Sequence, residues 1–262
     1  MSNQTLDSSG ADATRGEICA VATAEAFRGN GEILASCFGT APAIGARLAK
    51  ATFEPDLLLT DGVCTVVDEP DPVSGPGHEM VVEAWLPFRA IFDHVWNGNR
   101  HVIMAASQID RFGNQNFACI GDHAKPKAQL LGMRGAPGNS ISHTTSYWVA
   151  KQSTKVFVEQ VDVVSGVGYD AAAKLSPASN RGHDVRFVIS NLAVYDFETP
   201  NHTMRLKSVH PGVSVDEVVK NSGFEIVIEG EIPETRMPTA EELRLIRERI
   251  DPLGFVNKEV AS

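Results

Sequence analysis

Apolar residues fall at helical spacing in some stretches of the chain and in short continuous runs in others. The first stretch, residues 15–28, carries apolar side chains at three- and four-residue intervals and ends before glycines, so it predicts a helix. The elements predicted after it are a strand at 32–38, a helix at 42–50, and apolar runs typical of buried strands at 56–60, 102–106 and 156–158. This alternation predicts an α/β fold with an open, largely parallel sheet that has helices on both faces.

Two further signals place elements in the second half of the chain. The β-rich runs 185–189 and 192–197 are separated by two polar residues and predict a hairpin. Thr239 is followed three residues later by Glu242, which is the spacing of a capping box. We therefore expect a final amphipathic helix to begin there.

Polar segments indicate how the chain is divided. Residues 1–14 are rich in polar side chains and offer almost nothing to bury, so they predict a disordered lead-in. The segment 68–79 contains three prolines and two glycines, and it predicts a surface loop because strand-like runs continue after it. A single α/β domain over residues 15–262 is therefore expected.

The chain is acidic, with 33 Asp and Glu against 23 Lys and Arg and a formal net charge of -10. Its C-terminal arginines alternate with glutamates, as on a solvated helix face, so neither nucleic acid nor a membrane surface is an expected partner. No apolar run approaches about 18 residues and the first residues are polar, which favours a cytoplasmic protein. A chain with this charge needs well-placed cations if its ligand is anionic.

The cysteines Cys19, Cys37, Cys64 and Cys119 are scattered singly among apolar residues. None belongs to a C-x-x-C pair or stands at metal-ligand spacing from a histidine. They are predicted to be buried free thiols, and no metal site is expected.

Three loops are candidates for a ligand site, because open α/β sheets bind ligands at the carboxyl ends of their strands. The loops are 59–62, 108–116 and 132–139. The last of them has glycines at 132, 135 and 138, which allow backbone N–H groups to approach an oxygen atom closely, as an oxyanion hole requires. This loop fits neither a P-loop nor a dinucleotide-binding motif.

The order and spacing of these loops are informative together. The stretch 105–114, AASQIDRFGN, resembles the G-A-x-Q-V-D-x-x-G-N signature of the beta subunits of class I coenzyme A transferases. Residues 190–196 (SNLAVYD) are similar to the family's T-D-L-A-V-F-D strand, and 210–218 (HPGVSVDEV) with 222–224 (SGF) resemble its H-P-G-V-T-x-E-E-V and T-G-F elements. The resemblance covers about 15–253 and implies the fold of that family.

The chain departs from the family at the residue that the transferases use as a nucleophile. In such transferases a glutamate in an S-E-N-G or E-S-G type turn after a strand attacks the acyl-CoA carbonyl and forms a glutamyl-CoA thioester. If Gly62 is equivalent to the glycine of that turn, Thr60 stands at the position of the glutamate and Asp61 follows it. Threonine cannot form the acyl anhydride, and an Asp before Gly is more often part of the turn than a nucleophile.

A scaffold that holds an acyl-CoA without this nucleophile suits a reaction through a thioester enolate. Hydrolysis of a β-keto thioester is such a reaction, because the enolate is its leaving group. Within the family the chain is most similar to beta subunits of hydrolases that open the last steroid ring of a cholesterol degradation intermediate, a cyclohexenone-carboxyl-CoA. This similarity rests on residues 113–116, 134–139 and 146–148 and on the missing glutamate. It implies an α2β2 heterotetramer with an alpha subunit of the same family, which supplies the general base.

Two alternatives stay open at this point. The chain could belong to a CoA transferase of glutaconate or 3-oxoacid type that uses Asp61 as its nucleophile. It could also be a non-catalytic or metabolite-sensing subunit, because related folds bind metabolites in regulators.

The resemblance and the loops together nominate site residues. Stabilisation of the thioester oxygen or enolate is assigned to the side chains of Gln108 and Asn114 and the backbone N–H groups of Gly135 and Ala136. Substrate contacts are assigned to Thr60, Asp61, Gly62, Arg134, His143, Tyr147 and Trp148, with Arg134 meeting a substrate carboxylate and the last three lining a ring pocket. Glu83 and Asp110 are possible acid or base groups, although structural roles are favoured for both. Coenzyme A is expected only as part of the substrate, with no permanently bound cofactor.

Overall fold

The structure, a computed structural model that describes residues 13–260, contains helices and strands in nearly the predicted order. The helices are α1 (Arg15–Glu25), α2 (Thr40–Thr52), α3 (Ala90–Trp96), α4 (Ala136–Ser142), α5 (Tyr169–Ala172), α6 (Val215–Lys220), α7 (Ala240–Leu245) and α8 (Phe255–Val260), with a π-helical turn at Ile246–Ile250. The strands are β1 (Leu34–Cys37), β2 (Leu59–Thr60), β3 (Thr65–Val67), β4 (Val82–Trp85), β5 (Arg100–Ala105), β6 (Gln108–Ile109), β7 (Gln115–Asn116), β8 (Cys119–Ile120), β9 (Ala128–Gln129), β10 (Thr144–Val149), β11 (Asp184–Ser190), β12 (Ala193–Asp196) and β13 (Arg205–Val209).

Six of these strands form the central sheet, in the order β1-β5-β10-β11-β12-β13. The first four run parallel, and Leu34 pairs with Arg100 at the β1–β5 edge. Strands β12 and β13 continue the sheet antiparallel, and Val188 pairs with Tyr195 across the β11–β12 hairpin. The largely parallel sheet and the hairpin are therefore confirmed.

The sheet is covered on both faces, because successive side chains of a strand point to opposite sides. Ile103 of β5 and Trp148 of β10 join a core cluster with α1, α2 and α8. On the opposite face, Tyr147 joins a second cluster to which α4 contributes Ala136 and α6 contributes Val218. Helices on both faces are confirmed, although the second face is covered by short helices and by the loops around them.

Hydrogen bonds at the ends of α1 and α7 follow the sequence signals. Thr239 Oγ1 accepts from the Glu242 N–H at 3.2 Å, and the Glu242 carboxylate accepts from the Thr239 N–H at 2.7 Å, so the predicted capping box is confirmed. Thr14 forms the same box with Glu17 at the start of α1. Thr14 therefore belongs to the start of α1 rather than to the predicted lead-in, and residues 1–12 of that lead-in lie outside the described residues.

One predicted strand, 56–60, is much shorter in the structure and pairs differently. Only Leu59 and Thr60 are in strand, and they pair antiparallel with β3 in a three-stranded sheet β2-β3-β4. Leu58 keeps a single parallel bridge to Leu34 of the main sheet. The prediction of a buried parallel strand was wrong here because the turn at Asp61 sends the chain directly back.

A second predicted strand, 156–158, is absent from the described structure as a strand. The N–H groups of Val156 and Phe157 both donate to the Ser153 carbonyl, each at 2.9 Å, which makes a turn. Phe157 keeps one parallel bridge to Ile109 and buries its ring in the second core cluster. The apolar run therefore reflects burial rather than membership of a sheet.

The cysteines are free thiols, as predicted, but they differ in burial. Cys19 and Cys119 are buried, whereas Cys37 and Cys64 are only half-buried. The prediction that all of them are buried was therefore wrong for the last two, which lie in the wall of the cavity described next.

Candidate active site

A cavity of about 510 Å³ lies beside the turn that follows β2. The end of β1, the helix α2, the β2–β3 turn and the segment 86–91 form its walls. Arg100, the first residue of β5, also lines it. The structure thus gathers parts of the chain that are far apart in sequence around one opening.

The turn at Thr60, Asp61 and Gly62 lines this cavity, and its backbone explains its residue types. Gly62 has φ of 79°, in the left-handed region where a side chain is strained. Asp61 Oδ1 accepts from the N–H groups of Val63 and Thr65 at 2.8 Å and 3.0 Å, and also from the N–H between them. The side chain of Asp61 therefore closes the turn as an Asx-type acceptor.

These hydrogen bonds also set the charge of the turn. Partial desolvation raises the pKa of Asp61, but the N–H groups of Thr65 and Val63 outweigh it and lower the pKa to about 2. The carboxylate is ionised at neutral pH, yet the oxygen that faces the turn is already shared among three donors. This geometry favours the turn role over the nucleophile role that the transferase alternative needs.

Two arginines supply positive charge to the same cavity. Arg100 donates from Nε to Ser36 Oγ and from Nη1 to Asn139 Oδ1, each at 2.9 Å. Arg47 of α2 donates to the backbone carbonyls of Asp71 and Ala43, each at 3.0 Å. Burial lowers the pKa of Arg100 to about 10, so it stays protonated at neutral pH. Sequence reasoning missed both residues, because neither an arginine at the start of an apolar strand nor one within a helix carries a motif.

The carboxamides predicted to bind the thioester oxygen are buried and hydrogen-bonded within the chain. Gln108 accepts from Asn116 Nδ2 at 2.7 Å and donates to Asp162 Oδ2 at 3.0 Å. Asn114 donates to Asp110 Oδ2 at 3.0 Å and to Asp170 Oδ1 at 2.7 Å. Neither carboxamide lines the cavity. Their predicted part in catalysis stays a prediction, whereas their structural part is visible in these contacts.

Asp110 holds the loop that contains Asn114. Its Oδ1 accepts from the N–H groups of Phe112 and Asn114, each at 3.0 Å. Burial raises the pKa of Asp110, while these hydrogen bonds oppose the rise. The contacts support the structural role that the sequence favoured for this carboxylate.

The glycine-rich loop ends in the short helix α4. Arg134 adopts φ of 46°, is exposed, and donates from Nε to the Leu131 carbonyl at 3.1 Å. The N–H of Ala136 already donates to the Met133 carbonyl at 3.1 Å, while Gly135 is exposed at the start of the helix. Of the two predicted backbone donors, Gly135 is therefore the more accessible one.

The aromatic residues predicted to line a ring pocket lie in the core. Tyr147 and Trp148 are almost fully buried on opposite faces of β10. His143 is 2% exposed, and its Nδ1 lies 3.0 Å from the Thr144 carbonyl; burial lowers its pKa to about 4. None of the three lines the cavity. Exposed Glu83, the other predicted acid or base candidate, lies 4.0 Å from the ammonium of Lys50, whose side chain is only 10% exposed.

Comparison with known proteins agrees with the sequence motifs. Residues 88–221 match the family model described as coenzyme A transferase. A protein of Rhodococcus jostii named cholesterol ring-cleaving hydrolase IpdB subunit is 50% identical over 250 residues, which are 95% of this chain and 97% of that protein. The chain belongs to the coenzyme A transferase family.

Solved structures of the coenzyme A transferase family have the same fold as this chain. The crystal structure of Rhodococcus jostii IpdAB superposes with a TM-score of 0.88 at 49% identity and covers 96% of this chain and 100% of that one. Glutaconate CoA-transferase of Acidaminococcus fermentans superposes with a TM-score of 0.79 at 23% identity and covers 94% of this chain and 98% of that one. The similarity to the glutaconate enzyme shows a shared fold, whereas IpdAB shares both the fold and about half of the aligned residues.

Proposed function

We propose that this coenzyme A transferase family member is the beta-type subunit of a hydrolase that breaks a carbon-carbon bond in an acyl-CoA. The substrate class is that named for its Rhodococcus jostii relative, a ring of the cholesterol skeleton. We infer that it is the last steroid ring, present as a cyclohexenone-carboxyl-CoA. The observation that carries the proposal is the β2–β3 turn, which contains Thr60 and Asp61 but no glutamate, and in which Asp61 is held as a turn acceptor.

The proposed reaction needs no protein nucleophile. Water adds to the ring ketone, its hydroxyl oxygen becoming part of a new carboxylate, and the bond between the former ketone carbon and the carbon next to the thioester breaks. The electron pair of that bond becomes a thioester enolate, which takes up a proton at carbon. Hydrogen-bond donors that stabilise the enolate oxygen lower the barrier. Gly135, which is exposed at the start of α4 but does not line the cavity of this chain, stays the predicted donor.

An exposed aromatic surface supports the presence of a partner subunit. Trp85, Phe88 and Trp96 are 75%, 76% and 70% exposed, and Phe92 packs edge-to-face on Phe88 with ring centroids 5.4 Å apart. Exposed apolar groups of this size mark interaction surfaces. Phe88 also lines the cavity, so an alpha subunit on this surface would close the opening and bring the general base to it. We propose an α2β2 assembly.

The location and the cofactor are also part of the proposal. Among residues 13–260, no helix has the length and apolar character needed to cross a membrane. We propose that the complex works in the cytoplasm on an acyl-CoA and that coenzyme A enters as part of the substrate.

The test is an assay of the purified complex with a β-keto cyclic acyl-CoA, in the absence of any acceptor acid. We expect loss of the substrate, uptake of one oxygen from labelled water into the new carboxylate, and no protein-bound thioester after borohydride or hydroxylamine trapping. A requirement for an acceptor acid, together with a trapped protein-CoA adduct, would instead establish a transferase.

A further inference from the structure

The two arginines of the cavity lack the acidic partners that most other arginines of this chain have. Arginines with a carboxylate oxygen within 4.0 Å include Arg28, Arg111, Arg186, Arg205, Arg236, Arg244, Arg247 and Arg249. Among the described residues, no carboxylate comes within this distance of Arg47 or Arg100. Asp71 contacts Arg47 through its backbone carbonyl, and its carboxylate acts on Arg47 only from farther away.

A guanidinium with neutral partners is costly to bury. Arg100 is 7% exposed, and its hydrogen bonds go to a hydroxyl and a carboxamide, which compensate less than a carboxylate does. Ser36 and Asn139 occupy Nε and Nη1, and no hydrogen bond within the described chain engages Nη2. Their contacts hold the guanidinium at the cavity wall, so they act as positioning residues for it.

The rest of the cavity suits a ligand that is apolar with one negative group. Phe38 and Phe88 are exposed at its wall, and Leu86 and Ile91 add further apolar surface. The acidic residue of the lining, Asp61, already accepts three backbone hydrogen bonds and does not neutralise the arginines. A volume of about 510 Å³ accommodates an acyl ring with substituents.

We propose that Arg100 and Arg47 bind a free carboxylate on the acyl part of the substrate. This carboxylate is distinct from the carbonyl that forms the thioester. Arg100 makes the closer contact through the unused side of its guanidinium, and Arg47 adds charge from α2. Arginine forks match carboxylates in geometry and charge, which makes the pair a determinant of specificity for acidic acyl groups. The inference rests on the proposed function and assigns the part of the substrate that this chain recognises.

The experiment compares two CoA thioesters on the purified complex: a β-keto cyclic acyl-CoA with a free carboxylate, and the same compound with that group as its neutral primary amide. Wild type is expected to prefer the acid. Arg100→Gln should raise the KM for the acid about 10- to 100-fold, while kcat/KM for the amide changes less than threefold. Arg47→Gln should show the same pattern with a smaller effect.

Arg244→Gln is the control, because Arg244 is exposed on α7, pairs with Glu241 and Glu248, and does not line the cavity. Its kinetics should equal those of wild type with both thioesters. If Arg100→Gln does not fold, as judged by circular dichroism, Arg47→Gln and Arg100→Lys provide the test. Equal losses for acid and amide in the folded variants would overturn the proposal.

Two other anions that the arginines would attract, the phosphates of coenzyme A and a carboxylate of the alpha subunit, are distinguished by different measurements. If the arginines bind the phosphates of coenzyme A, the variants weaken binding of free CoA itself in calorimetry. If they pair with a carboxylate of the alpha subunit, the variants dissociate the complex in size-exclusion chromatography. Either result overturns the proposal. Should the wild-type complex turn over neither thioester, the proposed function fails, but calorimetric preference for the acid over the amide still tests the subsite.

Discussion

Substitutions of Asp61 distinguish between its two candidate roles, as a hydrogen-bond acceptor that closes the turn or as a catalytic nucleophile. Asp61→Ser keeps a side-chain oxygen that can accept from the backbone N–H groups of Val63, Cys64 and Thr65, but it removes the carboxylate. Serine is preferable to asparagine, because Asn before Gly62 would deamidate to a mixture of Asp and isoaspartate. Asp61→Ala removes both the oxygen and the charge.

The size of the effect follows from the hydrogen bonds. The pKa of Asp61 falls from 3.8 to about 2, which corresponds to at most about 2.4 kcal/mol of stabilisation. Solvent screening of this accessible group reduces the figure to about 1 kcal/mol. Because the folded-state pKa is lowered, this stabilisation is present above about pH 4 and is lost as the pH falls toward 2. Asp61→Ala should therefore cost about 1 kcal/mol at pH 7, and Asp61→Ser should cost less.

The assay measures kcat of the purified complex for each variant, with urea unfolding in parallel. If Asp61 acts only as a turn acceptor, the kcat of Asp61→Ser should stay within about tenfold of wild type, because the substitution disturbs only the geometry of the loop. A nucleophile would predict a loss of about 10⁴-fold or more for both variants. A loss of that size in a stably folded Asp61→Ser complex would refute the reasoning and revive the transferase alternative.

Two further changes test packing and charge elsewhere in the fold. Gly45→Ala should place a methyl group 2.8 Å from the Ala24 backbone nitrogen in the α1–α2 contact, which should cost about 1–3 kcal/mol of stability and lower Tm by roughly 2–10 °C. Gly138→Ala is the control, because the space around Gly138 is open and its Tm should not change. Equal Tm values for the two variants would contradict the packing argument. Arg236→Gln should cost about 1 kcal/mol at pH 7, because Arg236 lowers the pKa of Glu242 against the opposing effect of burial. As the folded-state pKa is lowered, that cost should disappear in urea titrations as the pH falls below about 4; a cost that persists there would exclude the ion pair as its source.

Local signals in the sequence predicted much of the fold because they act within a few residues. A hydroxyl three positions before a glutamate is enough to define the start of α7, and the same pattern was available at Thr14, where the lead-in was extended too far. The hairpin of β11 and β12 needs only its two adjacent strands. Structure that depends on contacts between distant parts of the sequence was harder to predict. The run 156–158, for example, has strand-like composition but forms a turn.

The candidate site was predictable only in part, for the same reason. Motifs identified the family and pointed to the turn at Thr60, Asp61 and Gly62, which the structure places in a cavity. They could not show that Tyr147 and Trp148, neighbours in sequence, lie on opposite faces of the sheet. Nor could they show which carboxamides were already bonded within the chain.

The sequence by itself determined the α/β fold, the family and the absence of a glutamate from the turn, since residue spacing and identity carry that information. Only the tertiary structure decided where the positive charge lies. A net charge of -10 does not reveal that Arg47 and Arg100 line the same cavity without carboxylate partners among the described residues. That arrangement depends on β1, α2 and β5 packing together, because the free-energy cost of burying a charge is set by the groups that surround it in space.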